Sequence, residues 1–433
     1  MLQNSQFPDL IPVGADQRQK VVVVGAGLVG LSCALWAQRA GHDVCVVAAH
    51  SPDDAVAYRH AASYGNACTV ALGACTPMAT PGILWRVPGM LLDRSGPLSI
   101  FWRDLPQLAP WLCSFVRASG AEQVSRIVAV LGGLLRAADQ GLKPLIEAAG
   151  ATSLMRQTGC LYLYRNQAEF RQAQYEISLR EREGVGMRIL DAAEIRDRNP
   201  HLAPLYYKGL EFTDEYIFDT PYDYAKALFA HFRQQGGDFA LGKVTAVTRG
   251  SEKIVVHTDG QSVEGDRLVI AAGAWSARVA RMVGDSPRLN TERGYHVFFP
   301  GAEPLVAAPT CYPAYGFYMT PLTGGLRVAG TVEMGGLDEP ARRVRTDVMA
   351  RRARELLPEL GPAAPDTWLG FRPSMPDSLP VIGPSPHDAR VIHAYGHGHI
   401  GLTLSGITGR IVAHLLKGES VPVDLRALRP DRF

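Results

Sequence analysis

KVVVVGAGLVG, residues 20–30, is a β-branched run that breaks into three glycines spaced two and three residues apart. Four consecutive valines suit a strand buried on both faces of a parallel sheet. Gly25, Gly27 and Gly30 give the pattern G-x-G-x-x-G, with Ala26, Leu28 and Val29 between them. In such a turn the first glycine permits the bend, the second lets backbone approach a pyrophosphate, and the third lets helix and strand pack closely. Any glycine turn that packs a helix on a sheet resembles this, so the pattern alone is weak. Its context adds weight: a helical stretch follows from Leu28 to Ala40, Gly41 ends it, and DVCVV (43–47) reads as a second buried strand. Strand, glycine turn, helix and strand make a βαβ unit whose helix N-terminus suits a phosphate.

One part of that unit is missing. The second strand of a dinucleotide fold usually ends in Asp or Glu, which holds the ribose hydroxyls. Here the strand runs into Ala48-Ala49-His50-Ser51, and Asp53 and Asp54 come later. Either a later residue substitutes or the adenosine is held without that contact.

Further along, residues 76–120 carry Pro77, Pro81, Pro88, Pro97, Pro106 and Pro110 among Trp85, Trp102 and Trp111, which predicts short helices broken by proline turns. Residues 121–149 read as one helix or two in sequence. GCLYLYR (159–165) reads as a strand and 167–183 as a helix. Asp191 and Thr220-Pro221-Tyr222-Asp223 read as helix starts, the second helix running to Gly236-Gly237. KVTAVT, KIVVHT and RLVIAAG read as strands, and residues 291–333 as antiparallel sheet. Helices are expected over 344–358 and 401–417.

Size and composition bound the function. At 433 residues the chain suggests two interleaved domains. With 44 basic and 42 acidic side chains, net charge +2, there is no electrostatic case for nucleic acid. Cysteines 33, 45, 68, 75, 113, 160 and 311 show no C-x-x-C pair, which argues against a metal site or a disulfide framework and for a reducing, cytoplasmic setting. No signal-type leader or membrane span is expected. Residues 82–117 mix Trp, Leu and Arg between prolines, leaving two readings open: peripheral contact with the inner face of a membrane, or a helical cover over a pocket.

Three further motifs carry chemistry. DRLVIAAGAWS (266–276) is a buried strand ending in small residues, among them Ala272, Gly273 and Trp275. GFRPSMPDSLPVIG (370–383) contains Arg372. GHGHIG (396–401) opens the last helix with Gly396, His397, Gly398, His399, Ile400 and Gly401.

In this order, G-x-G-x-x-G, A-A-G-x-W-S, G-x-R-P-x-x-P-D-x-x-P-x-I-G and G-H-G-x-x-G, the sequence resembles the D-amino-acid oxidase superfamily of flavoproteins over residues 20–417. Ala62 to Ala67 (ASYGNA) resembles a turn of its bacterial D-amino-acid dehydrogenase branch, which includes D-hydroxyproline dehydrogenases. The resemblance implies an α/β fold, α+β overall, with a Rossmann-like FAD-binding domain assembled from discontinuous segments and an inserted antiparallel β-sheet substrate domain. The FAD-binding segments would be 18–80, 208–285 and 367–420. The helical insert and substrate segments would be 81–207 and 286–366, with residues 1–17 and 421–433 as tails.

The resemblance also assigns roles. Arg372 matches the arginine that pairs with a substrate carboxylate, and the alternative is a structural salt bridge. Gly396 to Gly401 matches the turn over the flavin pyrimidine ring, where His397 would donate; for His399 packing and catalysis stand level. Ser63, Tyr64, Gly65, Asn66 and Ala67 would approach the flavin face, and Val244 would join Ala272, Gly273 and Trp275 in cofactor contact. In relatives with covalent flavin a histidine stands near the place of Gly65, so non-covalent FAD is expected, with His60 the alternative attachment point. Tyr295 and Tyr318 are candidates to bind the carboxylate or shape the pocket; sheet packing is the plainer reading for each, as it is for His296.

The function so implied is oxidation of a D-amino acid or D-imino acid by hydride transfer from the α-carbon to flavin N5. The alternatives are glycine, sarcosine or N-methyl amine oxidation, a flavin-binding subunit of a larger complex, and an NAD-dependent dehydrogenase. The electron acceptor is left open between oxygen, a quinone and a partner protein.

Overall fold

The computed structural model describes residues 7–83, 87, 89, 96–364 and 367–433. Trp85 and Pro88 lie outside these. Six strands form one sheet in the order Asp238–Leu241, Asp43–Ala48, Lys20–Val24, Arg267–Ile270, Val391–Tyr395, Val381–Pro384. The first five are parallel and the sixth pairs antiparallel. Val21 to Val23 are wholly buried, as a strand covered on both faces requires. The first helix, Leu28–Arg39, ends at Gly41, whose φ of 93° lets the His42 N–H reach back to the Ala37 carbonyl at 3.1 Å.

Strands Lys20–Val24, Arg267–Ile270 and Val391–Tyr395 are parallel neighbours. The turns that leave their C-terminal ends, residues 25–30, 271–275 and 396–401, therefore stand side by side. Ligands of open parallel sheets bind in that crevice. The final helix, Gly401–Leu416, packs against the first helix and against Ala138–Ala148.

A second, larger sheet runs in the order Trp368–Ser374, Asn290–Pro300, Gly325–Met334, Phe317–Leu322, Thr310–Tyr312, Cys160–Tyr164, Lys208–Phe212, Met187–Leu190. It is mostly antiparallel, with parallel pairings of Cys160–Tyr164 to Thr310–Tyr312 and of Leu98–Ile100 to Gly325–Met334. Tyr295, Val297, Phe299, Phe317, Met319 and Val328 face one core, shared with Met349, Ala353 and Leu356 of the helix Arg343–Leu356. The opposite face carries a row of register partners: Trp368, His296, Ala329, Tyr318, Cys311 and Tyr162.

Local signals held where caps and hydrophobic periods decide. Asp191 closes a capping box with Glu194, and Thr220 caps Pro221–Gln234. Residues 121–149 are two helices, Ala121–Arg136 and Ala138–Ala148. In the last part of residues 76–120 the expected short helices are corrected: Leu105–Ala118 is one helix of 14 residues with Pro110 inside it. Pro106 sits in the first turn, where its missing N–H removes no helical bond, and Pro110 removes one donor without ending the helix. Val244–Arg249 and Ile254–Thr258 leave the large sheets and form a three-stranded sheet with Ser262–Gly265. Among the described residues no helix is long and apolar enough to cross a membrane, and no group of His, Cys, Asp and Glu could hold a metal ion.

One buried carboxylate ties the C-terminal part of the parallel sheet to the segment before residue 290. The Asp285 carboxylate accepts from His393 at 2.7 Å and His387 at 2.8 Å. Burial alone would push the Asp285 carboxyl up, but the bonds from His393, His387 and Ser385 outweigh it and bring it from 3.8 to about 2. A carboxyl lowered in the folded state contributes stability above its unfolded value and loses it as pH falls toward 2. Asp285→Asn is therefore expected to lose about 2 kcal/mol at neutral pH, with the gap to wild type narrowing between pH 4 and 2. Urea unfolding at several pH values checks this; a gap that stays constant down to pH 2 refutes it.

Candidate active site

The three glycines of the first turn behave differently. Gly25 has φ 117°, and a Cβ there would stand 2.3 Å from the Ala271 carbonyl oxygen. A Cβ at Gly30 would stand 1.9 Å from the Gly25 oxygen, so the helix lies hard against the strand. A Cβ at Gly27 would meet nothing within 4 Å. The middle glycine thus faces open space at the start of a helix that no side chain caps. Free N–H groups facing a gap suit a pyrophosphate. Ala26 and Leu28 are buried and Val29 half-buried, packing the turn from below.

The neighbouring turn joins through Ala271 N–H, which donates to the Val24 carbonyl at 2.9 Å. Gly273 has φ 55° and also faces open space. Ala272 packs in the same apolar cluster as Val244, which opens the small three-stranded sheet. The Trp275 ring meets Phe371 edge-on at 5.6 Å.

The 63–67 turn is clamped against the polar face of the large sheet. Arg327 donates to the Asn66 carbonyl at 3.3 Å and to Cys68 Sγ at 3.0 Å; Thr320 donates to the Ala67 carbonyl at 2.9 Å. Tyr64 lies under the Arg59 guanidinium. His296 Nδ1 lies 3.0 Å from the Gly65 oxygen, and a Cβ at Gly65 would stand 2.4 Å from the Trp368 ring. No side chain fits at position 65. His60 stacks on His50 at 4.5 Å, beyond the strand that lacks the ribose acid.

Arg372 lies in the strand beside Glu292, its register partner. Its guanidinium rests over Gly294, where a Cβ would come within 2.3–2.6 Å of three guanidinium atoms. Arg372 Nη1 donates to the Thr331 carbonyl at 2.8 Å. Thr331 is itself strained, with φ 57°, at the irregular register between Arg293 and Tyr295. Among the described residues Arg372 makes no ion pair. Burial pulls its pKa down, with Glu292 acting against that. Gly294→Ala is expected to displace the guanidinium and to raise the substrate concentration for half-maximal flavin reduction by about a hundredfold, as a 1 Å misplacement does. Flavin content should change by less than twofold; equal losses in both would make Gly294 a folding residue only.

Two expected residues need reassignment. Tyr295 points to the opposite face, where its hydroxyl donates to Glu333 at 2.6 Å, so it does not join Arg372. A β-strand alternates faces, and Tyr295 is one residue out of phase with His296 and Gly294. His397 turns back into the final helix, with Nε2 2.8 Å from Thr408 Oγ1, and burial pushes it down to about 3, so it is neutral. It packs the turn and does not point out of it. His399 is the outward one: its Nε2 meets Glu292 Oε2 at 2.8 Å, and its side chain is 38% exposed. Tyr318 stays on the site face, hydroxyl to hydroxyl with Tyr162, and burial pushes both well up, so both remain protonated.

Glu292 and Gly294 were not read as site residues from sequence. The available signal was the alternation in TERGYH, which puts Glu292, Gly294 and His296 on one face. Gly396 (φ 83°) and Gly398 (φ 53°) shape the turn that brings Ile400 and Gly401 to the helix start, again without a side-chain cap.

The model of the FAD dependent oxidoreductase family (DAO) matches residues 20–415. A protein named D-amino-acid oxidase from Bradyrhizobium diazoefficiens is 35% identical over 419 residues, 95% of this chain and 98% of that protein. One named D-amino acid dehydrogenase from the same species is 30% identical over 426 residues, 96% and 99% of the two chains. Glycine oxidase from Geobacillus kaustophilus superposes with a TM-score of 0.73 at 22% identity, covering 96% of this chain and 99% of that one. Three adjacent sheet-end turns, an uncapped helix facing open space and a match spanning nearly the whole chain agree: the chain belongs to the family of FAD-dependent oxidoreductases.

Proposed function

We propose that the chain oxidises the Cα–N bond of a D-amino acid or cyclic D-imino acid. FAD, when bound, accepts the hydride equivalent from Cα. The backbone of Gly25 to Gly30 would hold its pyrophosphate, and Ser63 to Ala67, Ala272 to Trp275 and Gly396 to Gly401 would frame the ring system without a covalent bond.

One observation carries the substrate reading: a half-buried arginine, on the face that looks toward those turns, with one backbone carbonyl as its hydrogen-bond partner and no carboxylate within salt-bridge distance among the described residues. A guanidinium partly shielded from water, with only one hydrogen bond, gains from a ligand that completes it. A guanidinium has five donors, and the Thr331 carbonyl engages one, which leaves a fork for a substrate carboxylate. Gly294 and Thr331 hold that fork in place. Tyr318, protonated and tied to Tyr162, forms the wall of the same face. D-selectivity is supported by the names of the two Bradyrhizobium relatives, D-amino-acid oxidase and D-amino acid dehydrogenase. The acceptor that takes the electrons onward is one of oxygen, a quinone or a partner protein.

The test is anaerobic bleaching of the purified flavoprotein with D- and L-amino acids, proline analogues, glycine and sarcosine. Bleaching by D-enantiomers or D-imino acids, and not by their L-forms, is expected. Bleaching by sarcosine or glycine alone would move the assignment to N-methyl amines. A colourless protein that binds no FAD would end it.

A further inference from the structure

We propose that His399 accepts the ammonium proton of the amino-acid substrate, with Glu292 as the positioning residue behind it. This rests on the reading of Arg372 as carboxylate anchor and adds the residue that readies the amine.

An amino acid arrives as a zwitterion near neutral pH. Its nitrogen needs a free lone pair before the α-hydrogen can leave with its electrons, so one proton must first go to an acceptor. Amine and carboxylate share one carbon, so that acceptor must stand close to the carboxylate anchor. Of the groups around this junction, His399 is the one held beside Glu292; His296, on the same face, has Nδ1 3.0 Å from the Gly65 oxygen and its ring stacked on Trp368. Arg372, on the strand Trp368–Ser374, is a cation and carries no lone pair to offer. His397 is bonded inward to Thr408. Tyr318 is held protonated by burial. Glu292, the register neighbour of Arg372, is 4% exposed and engages His399. Burial would push its carboxyl up, but His399 and Arg372 outweigh that and keep it ionised below its ordinary range.

The bond at 2.8 Å between Glu292 Oε2 and His399 Nε2 places the ring hydrogen on Nε2. Nδ1 then holds the lone pair, because the partner of one ring nitrogen sets the tautomer of the other. In the step, an N–H bond of the ammonium breaks and its electron pair stays on nitrogen. The proton forms a new N–H bond at His399 Nδ1. The resulting imidazolium faces the Glu292 carboxylate, and its partial exposure gives the proton a route to water.

The test uses the holoenzyme and two ligands that cannot be oxidised. 2-Aminoisobutyrate has a carboxylate and an ammonium but no α-hydrogen, and isobutyrate lacks the amine. Flavin absorbance reports their binding across pH. For wild type, binding of 2-aminoisobutyrate is expected to weaken about tenfold per pH unit below one enzyme ionisation, as a single proton requires; isobutyrate should show no such weakening. His399→Gln should abolish this acid limb while retaining FAD and isobutyrate binding. Glu292→Gln should keep the limb while weakening 2-aminoisobutyrate binding more than isobutyrate binding. The rate of anaerobic bleaching at low substrate concentration should show the same pattern, and it decides the matter where the analogue is too bulky to enter. A limb that survives in His399→Gln, or that isobutyrate shares, overturns the assignment. Amino acids that bleach the flavin with an unchanged pH profile in His399→Gln would defeat the proton assignment alone. No bleaching by any amino acid would defeat the reading of the site as well.

Discussion

Arg372→Ala is expected to raise the amino-acid concentration needed to bleach the flavin by at least about a hundredfold, with flavin content changed less than twofold. Truncating one side of a buried, hydrogen-bonded charge pair costs about 2–5 kcal/mol, and each 1.4 kcal/mol is about tenfold in binding. The asymmetry between substrate and cofactor is what distinguishes an anchor from a strut. Among the described residues Arg372 has no salt bridge at contact distance, Glu292 acts on it only through space, and its one hydrogen bond is to a backbone oxygen. Removing it therefore breaks no internal ion pair. If the variant loses flavin as fast as it loses substrate affinity, the guanidinium holds the fold and the carboxylate must be bound elsewhere. Arg372→Lys should recover little, because a point charge on a flexible stem cannot reproduce the planar fork seated on Gly294.

The largest expected loss of stability lies on the other face of the same sheet. Glu333 and Arg293 are both 0% exposed, with Arg293 Nε 3.2 Å from Glu333 Oε2. Glu333 also accepts from Tyr295 at 2.6 Å, Arg342 at 3.2 Å and Ser99 at 3.3 Å. Arg293 keeps the Pro340 carbonyl as a partner, and its Nε and Nη1 have no hydrogen-bond acceptor beyond that carboxylate. Glu333→Ala is expected to destabilise the protein by about 3–5 kcal/mol, because a buried arginine is left uncompensated. The double variant Glu333→Leu with Arg293→Met should be more stable than the single one, since both charges leave together. Urea unfolding midpoints of the three proteins check this. A single variant within about 1 kcal/mol of wild type, or a double variant worse than the single, would show that the pair does not carry the load assigned to it.

Two pairs of residues show where sequence runs out. Tyr295 and Tyr318 are both tyrosines on strands of one sheet, and nothing in their neighbours ranks one above the other. Pleat and register decide: Tyr318 shares a row with His296 and Trp368, while Tyr295 falls one step out of phase and serves Glu333. His397 and His399 flank one glycine. The positive φ of Gly398 sends the first ring into the final helix and leaves the second for Glu292, more than a hundred residues away.

By itself the sequence determined the βαβ unit, its glycine turn and the helix caps, because these depend on residues a few positions apart. It also determined the family, through four short motifs in a fixed order. Only the tertiary structure decided that Gly27 faces open space, that the one hydrogen bond of Arg372 goes to the Thr331 carbonyl, and that Glu292 stands between Arg372 and His399. Those facts come from strand register and from side chains meeting across long stretches of chain. Local propensity carries no record of which distant strands become neighbours, and the chemistry of this site lies in those neighbours.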